Sequence, residues 1–109
     1  MTNVERYAYR VLWSAEDGEH VATVAEFPSL SWLHADQTEA LRGLVELVRE
    51  VVTDLEAAGE PVPEPLAERR YSGTFNVRVS ESLHRALSLA AAEEGVSLNR
   101  LVNQRLARD

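Results

Sequence analysis

The most constraining feature of this chain is a short alternating segment near its C-terminus that has no partner strand. One face of Thr74 to Val79 carries Phe75, Val77 and Val79, and the other carries Thr74, Asn76 and Arg78. The alternation predicts a β-strand, but no second strand-like run follows it, so its backbone N–H and C=O groups need a partner from elsewhere. The simplest partner is the same strand of a second copy, in a homodimer with an antiparallel two-stranded ribbon. A segment of fewer than about 40 residues also rarely buries enough apolar surface to be stable alone.

Two helices are predicted after this strand. Ser80 is a candidate N-cap for a first helix, and Gly95 lies where a left-handed residue ends one. Ser97 is a candidate N-cap for the second helix. The apolar positions are Leu83, Ala86, Leu87, Ala90 and Ala91 in the first helix and Leu98, Leu101, Val102 and Leu106 in the second. The start of the second helix, at Ser97 and Leu98, offers free N–H groups and a positive dipole end, which suit a DNA phosphate.

The order of strand, helix, Gly-Val-Ser turn and helix over residues 73 to 107 resembles a ribbon-helix-helix domain of the Arc/MetJ class. The resemblance implies that Thr74, Asn76 and Arg78 enter the major groove of operator DNA. Their chemistry suits this role, because arginine bonds guanine in bidentate fashion, asparagine bonds adenine, and threonine contacts polar groups or a thymine methyl. The alternative is an ordinary solvated strand face, which composition alone does not exclude.

Charge divides the chain unevenly. Residues 1 to 68 contain 4 arginines and 14 acidic residues, a net charge of −10, whereas residues 69 to 109 contain 7 arginines and 4 acidic residues, a net charge of +3. An acidic body with a basic end argues against a general nucleic-acid coat and favours a small DNA-binding end. The chain has no cysteine, which excludes thiol chemistry and cysteine-based zinc sites. With no signal sequence or membrane span either, we expect a cytoplasmic protein.

The N-terminal part predicts a hairpin, a third strand and a long helix. Strand-like runs at Arg6 to Ser14 and His20 to Glu26 flank an Asp-Gly turn, and Leu30 to Ala35 follows with Trp32 and His34 on one face and Leu33 on the other. Asp36 and Glu39 form a candidate capping box for a helix that ends at Gly59. The apolar stripe of this helix is Leu41, Leu44, Val45, Val48, Val52 and Leu55. A proline-rich exit, extended and semi-rigid, then runs from Gly59 to Pro65.

This part resembles the N-terminal domain of HicB-family antitoxins over roughly residues 5 to 66. The resemblance rests on the Tyr7 to Trp13 strand, the Asp17-Gly18 turn, the Glu26-Phe27-Pro28 break, the Thr38 to Leu41 helix start and the Pro61 to Pro65 exit. At the break, many family members have a Pro-Gly-Cys-like triplet, whereas this chain has Pro28-Ser29-Leu30. The order of these features, followed by a ribbon-helix-helix, is more specific than any one of them.

Together the two resemblances imply an α+β protein with three regions. A partial RNase H-like domain (β-β-β-α, with room for one further short strand) occupies residues 1–66, a linker residues 67–73, and the ribbon-helix-helix residues 74–109. The implied function is that of a type II antitoxin, which masks a small basic HicA-family toxin that cleaves mRNA and represses its own operon. The implied assembly is a homodimer through the C-terminal region, with a tetramer through the N-terminal domains left open.

Two other functions remain open at this stage. A stand-alone transcription regulator would use the body to sense a ligand or to oligomerise, and a pure interaction module would never touch DNA. We expect no enzymatic activity, because two-metal hydrolysis needs converging carboxylates and Asp17 and Glu19 fall in a turn. His20, His34 and His84 share no metal-binding spacing, so neither a metal nor another cofactor is expected.

Overall fold

The computed structural model describes residues 2–108 and has an α+β architecture. A 3-10 turn at Val4–Arg6 precedes three strands, and three α-helices follow them. The strands are β1 (Tyr9–Ser14), β2 (Glu19–Val24) and β3 (Ser31–His34), and the helices are α1 (Gln37–Ala57), α2 (Glu81–Glu94) and α3 (Leu98–Leu106). The chain forms two compact units, one up to Tyr71 and the other from Ser72. Among the residues described, no helix combines the length and the apolar character needed to cross a bilayer.

The three strands form one antiparallel sheet in the order β1-β2-β3. Tyr9 lies opposite Val24 and Ser14 opposite Glu19, so the hairpin closes where the Asp-Gly turn predicts it. Gly18 adopts a left-handed φ of 64° in this turn, which a β-carbon would disfavour. In the second pairing, Ala22 lies opposite Trp32 and Val21 opposite Leu33. Trp32 and Leu33 therefore occupy opposite faces of the sheet, which confirms the prediction from alternation.

Helix α1 begins and ends with specific caps. The Asp36 carboxylate accepts a hydrogen bond from the N–H of Glu39 at 3.0 Å, which is half of the predicted capping box. The N–H of Asp36 donates to Nδ1 of His34 instead of to Glu39, at 2.9 Å. At the other end, Gly59 has a left-handed φ of 70°, and the N–H of Glu60 donates to the carbonyl of Leu55 at 2.9 Å. These bonds form a Schellman motif, which ends the helix where the glycine predicts.

The core of the N-terminal unit lies between α1 and one face of the sheet. Leu44, Val48 and Val52 on the helix pack against Ala22 and Val24 of the central strand. Each fully buried aliphatic side chain contributes about 1.5 to 3 kcal/mol to folding. One predicted stripe position is wrong: Leu41 is 37% exposed, and Ala40 is buried in the core instead.

The proline-rich segment packs against the N-terminal unit and is not a free spacer. Val62 contacts the hydrophobic core, Pro65 is buried, and the Pro63 carbonyl accepts a hydrogen bond from the hydroxyl of Tyr7 at 2.7 Å. No further strand forms among residues 58–80, all of which the structure describes. Prolines lack the N–H that a central strand needs, and side chains bind this segment instead.

The C-terminal unit contains the two predicted helices. Ser80 caps α2 by accepting a hydrogen bond from the N–H of Leu83 at 3.2 Å. Gly95 ends that helix in the left-handed conformation, with φ at 69°. Ser97 then caps α3 by accepting from the N–H of Arg100 at 3.0 Å. All three boundary residues are confirmed, because caps depend on local chemistry that the sequence contains directly.

The predicted strand Thr74 to Val79 is not a strand in this single chain. Residues 73–80 are fully described and have no regular secondary structure. A β-strand is defined by backbone hydrogen bonds to a neighbour, and the C-terminal unit supplies no neighbouring strand. The ribbon itself therefore remains a prediction about a second copy.

Candidate functional sites

A wide apolar groove opens on the surface of the C-terminal unit. One part, with a volume of about 530 Å³, is lined by Val77, Val79, Leu83, Leu87, Val102 and Leu106, among others. A second part of about 670 Å³ shares Val77, Leu98 and Val102 with the first and extends to Phe75. The exposed fractions of Phe75, Val77 and Leu106 are 75%, 66% and 67%. Soluble monomers rarely expose contiguous apolar surface of this kind, which marks it as an interface.

The C-terminal unit has a very small core of its own. Among its described residues, the only hydrophobic side chains that are buried are Ala91 of α2 and Leu101 of α3. A unit of fewer than about 40 residues usually needs oligomerisation, a metal or disulfides to fold. The chain contains no cysteine. The apolar side chains that line the groove are the ones available for further burial.

Thr74, Asn76 and Arg78 are all exposed on the segment that leads into α2. Thr74 is anchored locally, since its N–H donates to the Ser72 hydroxyl oxygen at 3.1 Å and its carbonyl accepts from the same hydroxyl. The side chains of Phe75, Val77 and Val79 line the groove parts, whereas Asn76 and Arg78 line neither. Thr74 departs from the alternation, because it lines one groove part together with Phe75 and Val77.

Ser97 and Leu98, at the start of α3, have different surroundings. The Ser97 hydroxyl is occupied as a cap, and the Leu98 side chain is half-buried and lines both parts of the groove. Only the backbone N–H groups of this first turn are then suited to an anion. The structure brings Thr74 and Leu98 to the rim of the same groove.

The difference in net charge between the two units is smaller than the division of the sequence after residue 68 suggests. Arg69 and Arg70 belong to the N-terminal unit. The chain up to Tyr71 therefore has 6 arginines and 14 acidic residues, and the chain from Ser72 has 5 arginines and 4 acidic residues. The C-terminal unit is close to neutral overall, so an affinity for DNA would depend on where its arginines lie.

In the N-terminal unit, Glu26 ties three chain segments together. Its carboxylate accepts hydrogen bonds from the N–H of Ala8 at 3.0 Å and from the N–H of Leu66 at 2.9 Å. Glu26 lies beyond the end of β2 at Val24, so its prediction as a strand residue is wrong. A carboxylate that accepts two backbone N–H groups acts as a structural clamp between the segments that carry them.

Two tyrosines lie beside this clamp. The Tyr7 ring meets Phe27 edge to face, with centroids 5.3 Å apart, and the Tyr9 hydroxyl donates to the Val4 carbonyl at 2.8 Å. Burial raises the pKa of Tyr9 to about 12, and the nearby Tyr7 and Glu26 add to the rise. Burial also raises the pKa of Tyr7, helped by the negative charges of Glu26 and Glu56. Both hydroxyls are hydrogen-bond donors that hold the N-terminal segment in place.

Two of the histidines lie side by side in the sheet and make local contacts. His20 and His34 are cross-strand neighbours, but Nδ1 of His20 is 3.1 Å from the Ala35 carbonyl and Nδ1 of His34 accepts from Asp36. The Trp13 ring meets His20 edge to face, with ring centroids 5.0 Å apart. Over residues 2–108, no group of three or more His, Asp or Glu side chains is placed to hold a metal ion.

Comparison with known proteins gives one match. The HicB family model matches residues 56–106, from the end of α1 through α3, which is just under half of the chain. This match supports membership of the HicB family and is consistent with the antitoxin role in a toxin-antitoxin pair. No curated protein and no solved structure matches the chain.

Sequence reasoning missed two features of the N-terminal unit. The bonds of Glu26 to Ala8 and Leu66 join residues 18 and 40 positions apart, and no local pattern indicates such contacts. The second feature is a row of exposed apolar residues on the outer face of the sheet, which includes Leu12 and Leu33. The strand alternation contained that signal, but the register between the strands was needed to align the residues.

Proposed function

We propose that this chain is the antitoxin of a type II toxin-antitoxin system. In this proposal, the N-terminal unit neutralises a HicA-like toxin that cleaves mRNA, and a homodimer of the C-terminal unit binds operator DNA and represses the operon. The observation that carries the proposal is the alternating segment Thr74 to Val79, which lies unpaired beside an open apolar groove inside the region that matches the HicB family.

The groove supports a dimer. Pairing of residues 74–79 with the same residues of a second copy would satisfy their backbone groups and cover Phe75, Val77 and Val79. Those three side chains are 47% to 75% exposed in the single chain. Covering them removes apolar surface from water at about 25 cal/mol per Å², which supplies the burial that Ala91 and Leu101 alone do not.

The same pairing would place Thr74, Asn76 and Arg78 of both copies on one polar surface. A two-stranded ribbon fits the major groove of B-DNA, where arginine and asparagine bond guanine and adenine. The backbone N–H groups at the start of α3, at Ser97 and Leu98, are suited to a flanking phosphate. Base contacts then come from the segment, and orientation from the helix starts.

The N-terminal unit has the composition expected of a toxin-masking domain. A ribonuclease that holds RNA has to carry basic residues, and the unit up to Tyr71 has 14 acidic residues against 6 arginines. Complementary fields raise the rate and specificity of such an association. We propose no enzymatic activity for this unit, since its central carboxylate, Glu26, is held by two backbone N–H groups.

The test uses the full chain, the adjacent small reading frame and the promoter DNA upstream of the pair. Co-expression should rescue growth from the adjacent toxin, and the two proteins should purify together. Asn76→Ala and Arg78→Ala should each weaken promoter binding by about 1 to 3 kcal/mol per lost base contact. Arg85→Ala is the matched control, because it removes an equal charge from the exposed surface of α2.

The outcomes separate the proposal from its alternatives. DNA binding without toxin rescue would identify a stand-alone regulator. Rescue with no salt-dependent binding to promoter DNA would identify a pure interaction module. Equal DNA affinity for the Asn76, Arg78 and Arg85 variants would remove the assignment of the reading face while leaving the toxin partner intact.

A further inference from the structure

The outer face of the sheet, which points away from α1, carries an apolar row that crosses all three strands. Leu12 lies opposite Val21, and Val21 lies opposite Leu33. Because side chains alternate along a strand, these three residues share the face opposite to the buried Ala22. With strands about 4.8 Å apart, the row is about 10 Å wide.

The two leucines of this row are exposed, and Val21 between them is half-buried. Leu12 is 52% exposed and Leu33 is 39% exposed. The adjacent row on the same face begins with Arg10 and continues with Thr23 and Ser31, which have short polar side chains. A single exposed leucine is ordinary, but an aligned apolar row with two exposed leucines and polar residues along its border is typical of an interaction surface.

Acidic groups lie along the other side of the row, toward the β1–β2 turn. Glu19 lies on the same outer face, and Glu16 and Asp17 lie in the turn that joins β1 to β2. Arg6, Arg42 and Arg49 pair with Glu68, Glu39 and Glu46, whereas Arg10 lies on this face, on the side of the row opposite to the acidic groups. Because the unit has 14 acidic residues and 6 arginines, it attracts a basic protein more strongly than a second copy of itself. A basic protein with apolar side chains at its contact surface is complementary to this face.

We infer that the Leu12–Val21–Leu33 row, bordered by Glu19 and the β1–β2 turn, is the surface that binds the toxin. This inference rests on the proposed function and assigns that function to one face. Apolar side chains of the toxin pack on the row, and its lysines or arginines face Glu16, Asp17 and Glu19. The toxin packs on the face of the sheet and does not pair with either edge strand, β1 or β3.

The test measures binding of the purified adjacent toxin to full-length antitoxin variants. The double variant Leu12→Ser/Leu33→Ser should bind the toxin about tenfold or more weakly, because truncating buried interface leucines costs more than 1 kcal/mol in the centre of a contact. Leu41→Ser is the matched control, since Leu41 is 37% exposed on α1. Circular dichroism and promoter binding establish that each variant is folded.

A second variant keeps the test independent of the apolar substitutions. Glu19→Lys should slow toxin association at low salt, with the difference shrinking as the salt concentration rises. If the wild-type chain does not bind the toxin, the proposed function and this inference both fail. If the wild type binds and the double variant and Glu19→Lys bind equally well, only the inference is overturned. A changed oligomeric state with unchanged toxin binding would also overturn it, in favour of a second copy.

Discussion

The carboxylate of Glu26 accepts a hydrogen bond from the backbone N–H of Leu66, 40 residues later in the chain, at 2.9 Å. The same carboxylate accepts from Ala8, so one side chain joins the start of the sheet to the end of the proline-rich segment. Prolines leave few donors in this segment, and Leu66 provides the first N–H after Pro65. The clamp therefore holds the end of the proline-rich segment against the rest of the N-terminal unit.

Replacing Glu26 should therefore destabilise the N-terminal unit. Because a hydrogen bond to a charged group contributes about 1.5 to 3 kcal/mol, we expect Glu26→Ala to lower the free energy of unfolding by about 2 kcal/mol, discounted for partial exposure. Glu26→Gln keeps one acceptor oxygen and should lose about half as much. Urea unfolding measures stability, and hydrogen exchange at the Leu66 amide reports on the clamp itself.

Glu64→Ala is the control for the clamp, because Glu64 is an exposed carboxylate in the same segment. It should leave the exchange rate of Leu66 unchanged. Unaltered Leu66 protection in Glu26→Ala would show that the proline-rich segment is held without this side chain.

The indole of Trp32 lies over Gly43 of α1, in the space where a β-carbon would be. Gly43→Ala should lower the free energy of unfolding by about 1 to 3 kcal/mol, because the added methyl overlaps the ring. In a Trp32→Ala background the same change should stabilise the protein by up to about 1 kcal/mol, since alanine is the better helix former. Urea unfolding of all four proteins gives the sign in each background. Stabilisation in both backgrounds would contradict the contact.

Loss of stability at high pH should follow Tyr9. Its folded pKa of about 12 lies above the ordinary value of 10.0, so the folded state retains a proton that the unfolded state has released. The stabilisation is complete below about pH 10 and is lost as the pH rises toward 12. Tyr9→Phe should flatten the fall in unfolding free energy over this interval and remove one late step from the ultraviolet tyrosinate titration. The fall in unfolding free energy that remains in Tyr9→Phe includes the contribution of Tyr7, whose pKa is also raised.

Local chemistry explains what the sequence predicts well. Asp36, Ser80 and Ser97 each accept a hydrogen bond from the third residue of the helix they begin, so a few adjacent residues determine each boundary. The β1–β2 hairpin likewise depends on one turn and an alternating pattern.

Long-range contacts explain what the sequence misses. The bond between Glu26 and Leu66 and the fit of Trp32 on Gly43 depend on how the sheet, helix and exit segment meet. The helical phase of Leu41 fits the core stripe, but in the fold Leu41 is 37% exposed and Ala40 is buried. Residues 74–79 differ in kind, because the ribbon proposed for them would depend on a second chain, which one sequence indicates only through unsatisfied backbone groups.

The two serine caps of the C-terminal unit allow a matched test of the helix start that is proposed to face DNA. Ser80→Ala and Ser97→Ala each remove one hydroxyl that accepts a backbone N–H, at 3.2 Å and 3.0 Å. Each should lower the free energy of unfolding by about 1 kcal/mol. Only Ser97→Ala should also weaken promoter binding, by about fivefold or more for two helix starts per dimer, because it disorders the N–H groups proposed to hold a phosphate.

Binding is measured by fluorescence anisotropy on labelled promoter DNA, below the melting temperature of both variants. Ser80→Ala controls for general destabilisation of the same unit, because it removes the same group from the start of α2. Equal DNA affinities for the two variants would remove the phosphate role from the start of α3. A selective loss in Ser97→Ala that disappears at high salt would support an electrostatic contact at Ser97 and Leu98.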